Sequence, residues 1–307
     1  MEISPANPVE PMLAKAVPTI PATDGLSYEP KWDGFRVIDG EIVVRAGTSG
    51  AEHLDWESLS QRIHPAESRI AKLSVETPAA FVAFDLLALG GDSLLAAPLS
   101  SRRTAPERLF SQMREPLHLT RSTKDVAIAN RCLVDFEGAG LDGVVTKPLD
   151  SAYAPGKRVM FKTKHTRTAD VVLVGYRVHK SGNGVGSLLV GLYGADGELH
   201  NVGGASAFTD KRRLELVDEL APLVVRDDGG DAVKGATDRS RFSANKDVSF
   251  VRLEPRRVIE VKYDQMEGAR FRHSAQFFRW RDDRDPLSCT YDQLEVPAGY
   301  DLAAVLD

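Results

Sequence analysis

Cysteine is scarce in this chain of 307 residues: Cys132 and Cys289 stand far apart and without metal-ligand spacing. A disulfide scaffold and a Cys-rich zinc module are thereby excluded, and a reducing compartment, the cytoplasm, is expected. The opening Met1-Glu2-Ile3-Ser4-Pro5 lacks a basic stretch leading into an apolar one, so no signal peptide is expected. No apolar run is long enough to span a bilayer, and no membrane partner is expected. Internal repeats and low-complexity segments are also missing. The net charge of −5 carries no basic excess, although a basic face can coexist with an acidic remainder. What is there is an ordinary globular composition, 42% apolar and 27% charged, long enough for two domains.

Residues 1–26 hold Pro5, Pro8, Pro11, Pro18 and Pro21 and read as an extended arm along a first domain. A β-branched strand is expected over 37–44, interrupted only by Asp39-Gly40. Asp55 is placed to cap a helix carrying Trp56, Leu59 and Ile63 on one face. The apolar run 80–89 predicts a buried central strand. Helices are expected over 102–113 and from Ser122-Thr123 to Gly138, followed by a strand over 140–147. Interspersed strands and helices make this domain α+β. Beyond 165, strands are expected over 171–178, 187–193, 199–203 and 257–263. They are separated by glycine turns, with one helix over 209–220. Such spacing suggests a small Greek-key barrel of the OB type. The domains are expected over 1–165 and 166–307, hinged at the basic link 161–167.

The chain is best organised around the stretch Ser27-Tyr28-Glu29-Pro30-Lys31-Trp32-Asp33-Gly34-Phe35-Arg36. Its aromatic residues favour a strand and Asp33-Gly34 a turn, which puts Lys31 at a strand end. A nucleophilic lysine must lose its proton, through desolvation or neighbouring positive charge. Taken singly, each candidate also has an ordinary reading. Lys31 could be a solvated hairpin lysine, Glu41 an edge residue, Asp142 a turn residue and Phe84 core. Lys162 and Lys164 alternate along a strand-like segment, so both project from one face, as a solvated edge or as a pair of phosphate ligands. Two carboxylates sharing a cleft with a phosphate would suit magnesium.

Their order is more specific than any one of them. Lys31-Trp32-Asp33-Gly34-Phe35-Arg36, Ile38-Asp39-Gly40-Glu41, Ala83-Phe84-Asp85-Leu86, Asp142-Gly143-Val144-Val145-Thr146-Lys147 and Phe161-Lys162-Thr163-Lys164 follow one another. The set resembles the motifs of the covalent nucleotidyltransferases. Phe277-Phe278-Arg279-Trp280-Arg281-Asp282-Asp283-Arg284 resembles the signature that closes the OB domain of ATP-dependent DNA ligases. The flanks Glu10-Pro11-Met12-Leu13-Ala14-Lys15 and 266–273 look most like the compact bacterial ligase C group.

The resemblance implies a nucleotidyltransferase (adenylation) domain of antiparallel sheets followed by an OB-fold. It implies a DNA ligase that seals nicks in double-stranded DNA with ATP and magnesium, acting as a cytoplasmic monomer, in repair among other uses. Lys31 would carry AMP. Glu29 and Arg36 would hold adenine and ribose, and Phe84 would stack on the purine. Glu41 and Asp142 would serve magnesium and the ribose. Lys147, Lys162 and Lys164 would grip phosphates and help depress the pKa of Lys31, since nearby cations disfavour an ammonium. Arg279, Arg281, Asp283 and Arg284 would close over the triphosphate. DNA phosphates would meet the 157–167 segment, Arg270, Arg272 and Arg279, without sequence preference and with steep salt dependence.

The pattern is not complete. Asp142 stands where the family often has glutamate, and Arg284 where it usually has lysine. Between Arg36 and Val37 a family segment of several strands and a helix is missing. Lys31 and Glu41 are ten positions apart, roughly 33 Å in an extended strand, so the chain must turn back sharply between them. Alternatives to a DNA ligase are an RNA ligase or capping-type enzyme, or an adenylation-deficient DNA-binding relic.

Overall fold

A computed structural model describes residues 9–37, 39–63, 66–236 and 249–306. The chain divides into two compact units, residues 1–165 with 297–307, and residues 166–296. Residues 297–307, expected with the barrel, therefore group with the first unit. The cause is apolar: Leu302 and Val305 are buried in one cluster with Trp32, Val43 and Val82, and the Tyr300 ring lies 5.1 Å from that of Phe136. Gly138 permits the close approach, because a Cβ there would strike the Ala298 carbonyl.

Two sheets frame the first unit. The first orders Leu13–Ala16, Arg158–Thr163, Val144–Pro148 and Leu26–Pro30, antiparallel except for the first pair. Of the Pro-rich arm, residues 1–8 lie outside the described residues. The part between Pro11 and Pro18 lies extended along the first unit as the edge strand Leu13–Ala16, the position a flanking proline tolerates. The second sheet orders Phe35–Arg36, Gly40–Ala46, Ala79–Ala83 and Leu117–Leu119, with His53–Leu54 paired to Gly40–Ala46. Helices Trp56–Ser60, Glu67–Glu76, Leu99–Phe110 and Val126–Asp135, with the short Ala303–Leu306, belong to the same unit.

Several boundaries differ from the sequence expectation. The strand expected over 80–89 stops at Ala83, because the Phe84 and Asp85 amides both donate to the Asp39 carbonyl. The helix expected from Ser122-Thr123 starts at Val126. Asp125 caps it by accepting from the Ala127 amide at 2.7 Å, while Thr123 exchanges backbone hydrogen bonds with Tyr28. The expected strand over 37–44 is divided by a turn. Val37 N–H donates to the Gly40 carbonyl, and Phe35 and Arg36 pair with Ile42 and Glu41. Ile38 lies outside the described residues. The sharp return between Lys31 and Glu41 is made here and not at Asp33-Gly34. Gly34 serves close packing instead: a Cβ on it would lie 2.4 Å from the Ile42 carbonyl oxygen.

The second unit is an OB-fold. Strands Val185–Tyr193, Leu199–Ser206, Ala275–Trp280, Val258–Tyr263 and Arg167–Val178 pair in that order. Arg167–Val178 pairs again with Val185–Tyr193, which closes a five-stranded barrel without edges. Ser249–Arg252 and Lys234–Ala236, which the sequence pattern did not suggest, extend the sheet outside this cycle. Thr209 caps helix Asp210–Leu220, whose Leu216 and Leu220 face the barrel core.

Candidate active site

A cleft of about 380 Å³ opens in the first unit between the two sheets, and Lys31 lines it. Leu26–Pro30 is buried at every position, so the chain reaches the cleft as a rigid strand and releases Lys31 just past its end. There the backbone is pinned from both directions. Lys31 N–H donates to the Gly143 carbonyl at 2.8 Å, and Asp142 N–H donates to the Lys31 carbonyl at 2.9 Å. Gly143 sits at φ 135°, and a Cβ on it would collide with the Thr163 carbonyl. The Asp142-Gly143 pair is thus a seat for Lys31 and not an ordinary turn. One oxygen of Asp142, Oδ2, holds Lys31 Nζ at 2.5 Å and Lys164 Nζ at 2.8 Å.

Behind Lys31, Glu29 is 3% exposed and faces the cleft. Its Oε2 meets Lys147 Nζ at 2.6 Å. Lys147 Nζ also donates to the Phe84 carbonyl at 3.1 Å and lies 4.7 Å from the Phe84 ring centre. Arg36 lies 5.5 Å from the same ring centre, so two cations accompany this aromatic ring. Glu41 lines the cleft beside them. Burial pushes its carboxyl up to about 7, against the opposing pull of Lys31 and Arg36. Lys162, cross-strand from Val145, lines the cleft from the neighbouring strand. Burial lowers its amine, helped by Lys164 and Lys31.

The structure therefore brings Glu29, Lys31, Arg36, Glu41, Phe84, Lys147 and Lys162 to one cleft, with Asp142 and Lys164 against Lys31. Arg279, Arg281, Asp283 and Arg284 belong to the second unit and are engaged within it. Arg279 Nε meets Glu260 at 2.5 Å, and Arg281 holds both oxygens of Asp170 at 2.9 Å and also pairs with Asp283. Arg284 lies 3.6 Å from Asp170. Arg270 and Arg272 are also in that unit, where burial brings the Arg272 guanidinium down to about 10.

Other cleft residues were not singled out from sequence. Arg158 and Met160 line it, and their signal was available: they precede Lys162 at spacings of two on one strand, hence on one face. Trp32 contributes to the lining and donates its indole N–H to the Thr120 hydroxyl at 2.7 Å. Among the described residues, no group of three or more His, Cys, Asp or Glu converges as a protein-only metal site. Magnesium is usually held by one or two carboxylates and the substrate's phosphates. Glu41, whose Oε2 is buried with no hydrogen-bond partner, and Asp142 fit that arrangement.

Comparison with known proteins follows the same lines. The family description "ATP dependent DNA ligase domain" matches residues 37–164, and "ATP dependent DNA ligase C terminal region" matches residues 181–284. DNA ligase C1 of Mycolicibacterium smegmatis is 47% identical over all of this chain and 99% of its own length. This chain belongs to the ATP-dependent DNA ligases. DNA ligase C of Mycobacterium tuberculosis is 46% identical, again over all of this chain and 99% of the relative, which makes this ligase a compact, ligase C-like member. A solved Lig E DNA ligase, described as binding DNA with a minimal scaffold, shares the fold. It has a TM-score of 0.54 at 15% identity and covers 89% of this chain and 99% of its own. The ligase is nonetheless short. Its alignment with ligase C1 runs over 352 residues against the 307 present, so at least 45 positions have no residue here. The family match begins at Val37, directly after Arg36, where the sequence pattern is broken.

Proposed function

We propose that this ATP-dependent DNA ligase seals nicks in double-stranded DNA through a lysyl-AMP intermediate on Lys31. The observation that carries the reading is the placement of Lys31 Nζ in a cleft that already holds Glu29, Phe84, Lys147 and Glu41. Lys31 attacks the α-phosphorus of ATP. An N–P bond forms, the bond to the β-phosphate oxygen breaks, and pyrophosphate leaves. Asp142, with Oδ2 at the amine, is within reach of the proton that Nζ must lose. Phe84 stacks on the purine and Glu29 and Arg36 hold the nucleoside, while Lys147, Lys162 and Lys164 neutralise the phosphates.

Glu41 and Asp142 are the residues that would hold magnesium, which supplies further charge neutralisation when bound. Because Glu41 titrates near 7, its ionised form, the one a cation requires, fills in as the pH rises through neutrality. AMP then passes from Lys31 to the 5′-phosphate of the nick, and the 3′-hydroxyl displaces it. Arg279, Arg281, Asp283 and Arg284 act on the leaving pyrophosphate once freed from the partners that hold them here. DNA is held through its phosphates by the 157–167 segment, Arg270, Arg272 and Arg279, without base preference and with affinity that falls steeply with salt. The ligase works as a monomer, in a reducing cytoplasm that suits its two free cysteines.

The test is labelling of the purified protein with α-labelled ATP and magnesium, beside Lys31→Ala. Label that depends on Lys31, and that a nicked duplex then discharges, is the expected result. Discharge by single-stranded RNA instead would favour an RNA ligase. The alignment shortfall of at least 45 positions favours a second reading, a protein that binds DNA without adenylylating. Absence of label on folded protein would select it. Against it stands the turn at 37–40, which keeps Arg36 and Glu41, from either side of the break, in the same cleft.

A further inference from the structure

Helix Leu99–Phe110 presents two consecutive arginines inward, and each goes to a different carboxylate. Arg102 is bound through two hydrogen bonds to Asp85 and donates as well to the Ala97 and Ser151 carbonyls. Arg103 is less settled. Its Nη2 donates to the Thr120 carbonyl and its Nε to the exposed Glu107 at 3.3 Å. Its Nη1 is buried with no hydrogen bond and lies 3.7 Å from Glu29 Oε1, an acceptor that is also buried with no hydrogen bond. A buried donor and acceptor left unmet so close together are costly, and a small shift or one water would join them. Through Thr120, Arg103 is also tied to the cleft's other walls. The Thr120 hydroxyl accepts from Trp32, beside Lys31, and the Thr120 amide donates to Ala83, beside Phe84.

We propose that Arg103 is a positioning residue for nucleobase recognition: from behind the cleft it fixes, with Lys147, the angle of the Glu29 carboxylate. A carboxylate held by cations on two sides keeps lone pairs for one further donor in the cleft. The exocyclic amino group of adenine is such a donor, whereas a purine without it offers nothing there. This inference rests on the reading of the cleft as an ATP site. It assigns Arg103 no contact with the substrate, only control of a residue that has one.

The experiment is equilibrium dialysis of ATP and of purine riboside triphosphate, which lacks the 6-amino group, against the full chain carrying Lys31→Ala to prevent covalent capture. The parent is expected to prefer ATP. Adding Arg103→Met is expected to reduce that preference about tenfold, almost wholly through weaker ATP binding. Glu107→Gln, at the exposed end of the same guanidinium, should leave it unchanged. Equal weakening of both nucleotides in a folded Arg103→Met protein would make Arg103 a plain structural strut and overturn the proposal. So would an unchanged preference, or a parent with no preference for ATP. Where Arg103→Met does not fold, Arg103→Lys decides: it keeps the cation and should keep most of the preference, and equal loss on both nucleotides overturns the idea. Labelling by α-labelled ATP with Lys31 intact is read separately, so loss of adenylylation chemistry and loss of base positioning are distinguishable.

Discussion

The two units solve burial in opposite ways. The OB unit has one continuous apolar cluster, from Ala169 and Val171 through Leu188, Leu192 and Leu216 to Ile259 and Phe271. Among the described residues it buries three charged side chains, Arg167, Asp170 and Glu260. The first unit divides its core into three smaller clusters around Trp32, Met12 and Tyr28. Between them it buries Glu29, Asp85, Arg102, Arg103 and Lys147. Buried ion pairs contribute little net stability compared with apolar residues of the same volume, yet breaking one is expensive. Charge is therefore concentrated in the unit where a polar ligand has to be received, and packing in the unit where a scaffold has to be held.

The contrast can be broken most severely at Lys31. Lys31→Ala should abolish labelling by α-labelled ATP while leaving hydrogen-exchange protection of both units essentially unchanged, since Lys164 still partners Asp142. Lys147→Met comes next. It leaves the 3%-exposed Glu29 without its close partner and should cost the first unit about 3 kcal/mol by urea unfolding, with labelling also lost. Leu216→Ala, at a fully buried position, should cost the OB unit a comparable amount, about 3 kcal/mol, and leave protection of the first unit untouched.

Acidity sharpens the comparison further. Burial raises Glu41 to about 7, and burial with the neighbouring charge of Asp85 raises Asp39 to about 6. Both carboxyls keep their protons in the folded state at pH values where the unfolded chain has lost them. Their contribution to stability is therefore full at low pH and falls as pH rises, from about 3.8 towards 6 for Asp39 and from about 4.5 towards 7 for Glu41. Glu41→Gln should match the parent at pH 5 and exceed it at pH 8, on the order of 2 kcal/mol in urea titrations, while losing magnesium-dependent labelling. The smallest effect belongs to the OB surface. Arg212→Ala breaks a partly exposed pair with Glu219 and should lower the unfolding free energy by less than about 1 kcal/mol in urea titrations.

Much of the candidate site was legible because its residues occur in fixed local patterns. Lys31 follows a strand and precedes Asp33-Gly34, Glu41 follows Asp39-Gly40, and Lys162 alternates with Lys164. Arg158 and Met160 carried the same alternating signal. Arg103 had no such signal: consecutive arginines on a polar helix look solvated until the helix is docked. The return between Lys31 and Glu41 was demanded by distance, but its place was not. Steric closeness of Gly34 to Ile42 and of Gly40 to Phe81 decided it, and these are contacts between strands.

The sequence by itself determined the family, the two kinds of domain, and most of the residues that meet in the candidate cleft. Motif order, strand periodicity and capping residues are local properties of the chain. Only the tertiary structure decided that residues 297–307 complete the first core, that residues 13–16 form a sheet edge, and that Asp142 lies between two lysines. It also decided that Glu29 is flanked from behind by Arg103. These depend on surfaces contributed by positions far apart in the chain, and burial and charge pairing act on distance in space, which no local pattern encodes.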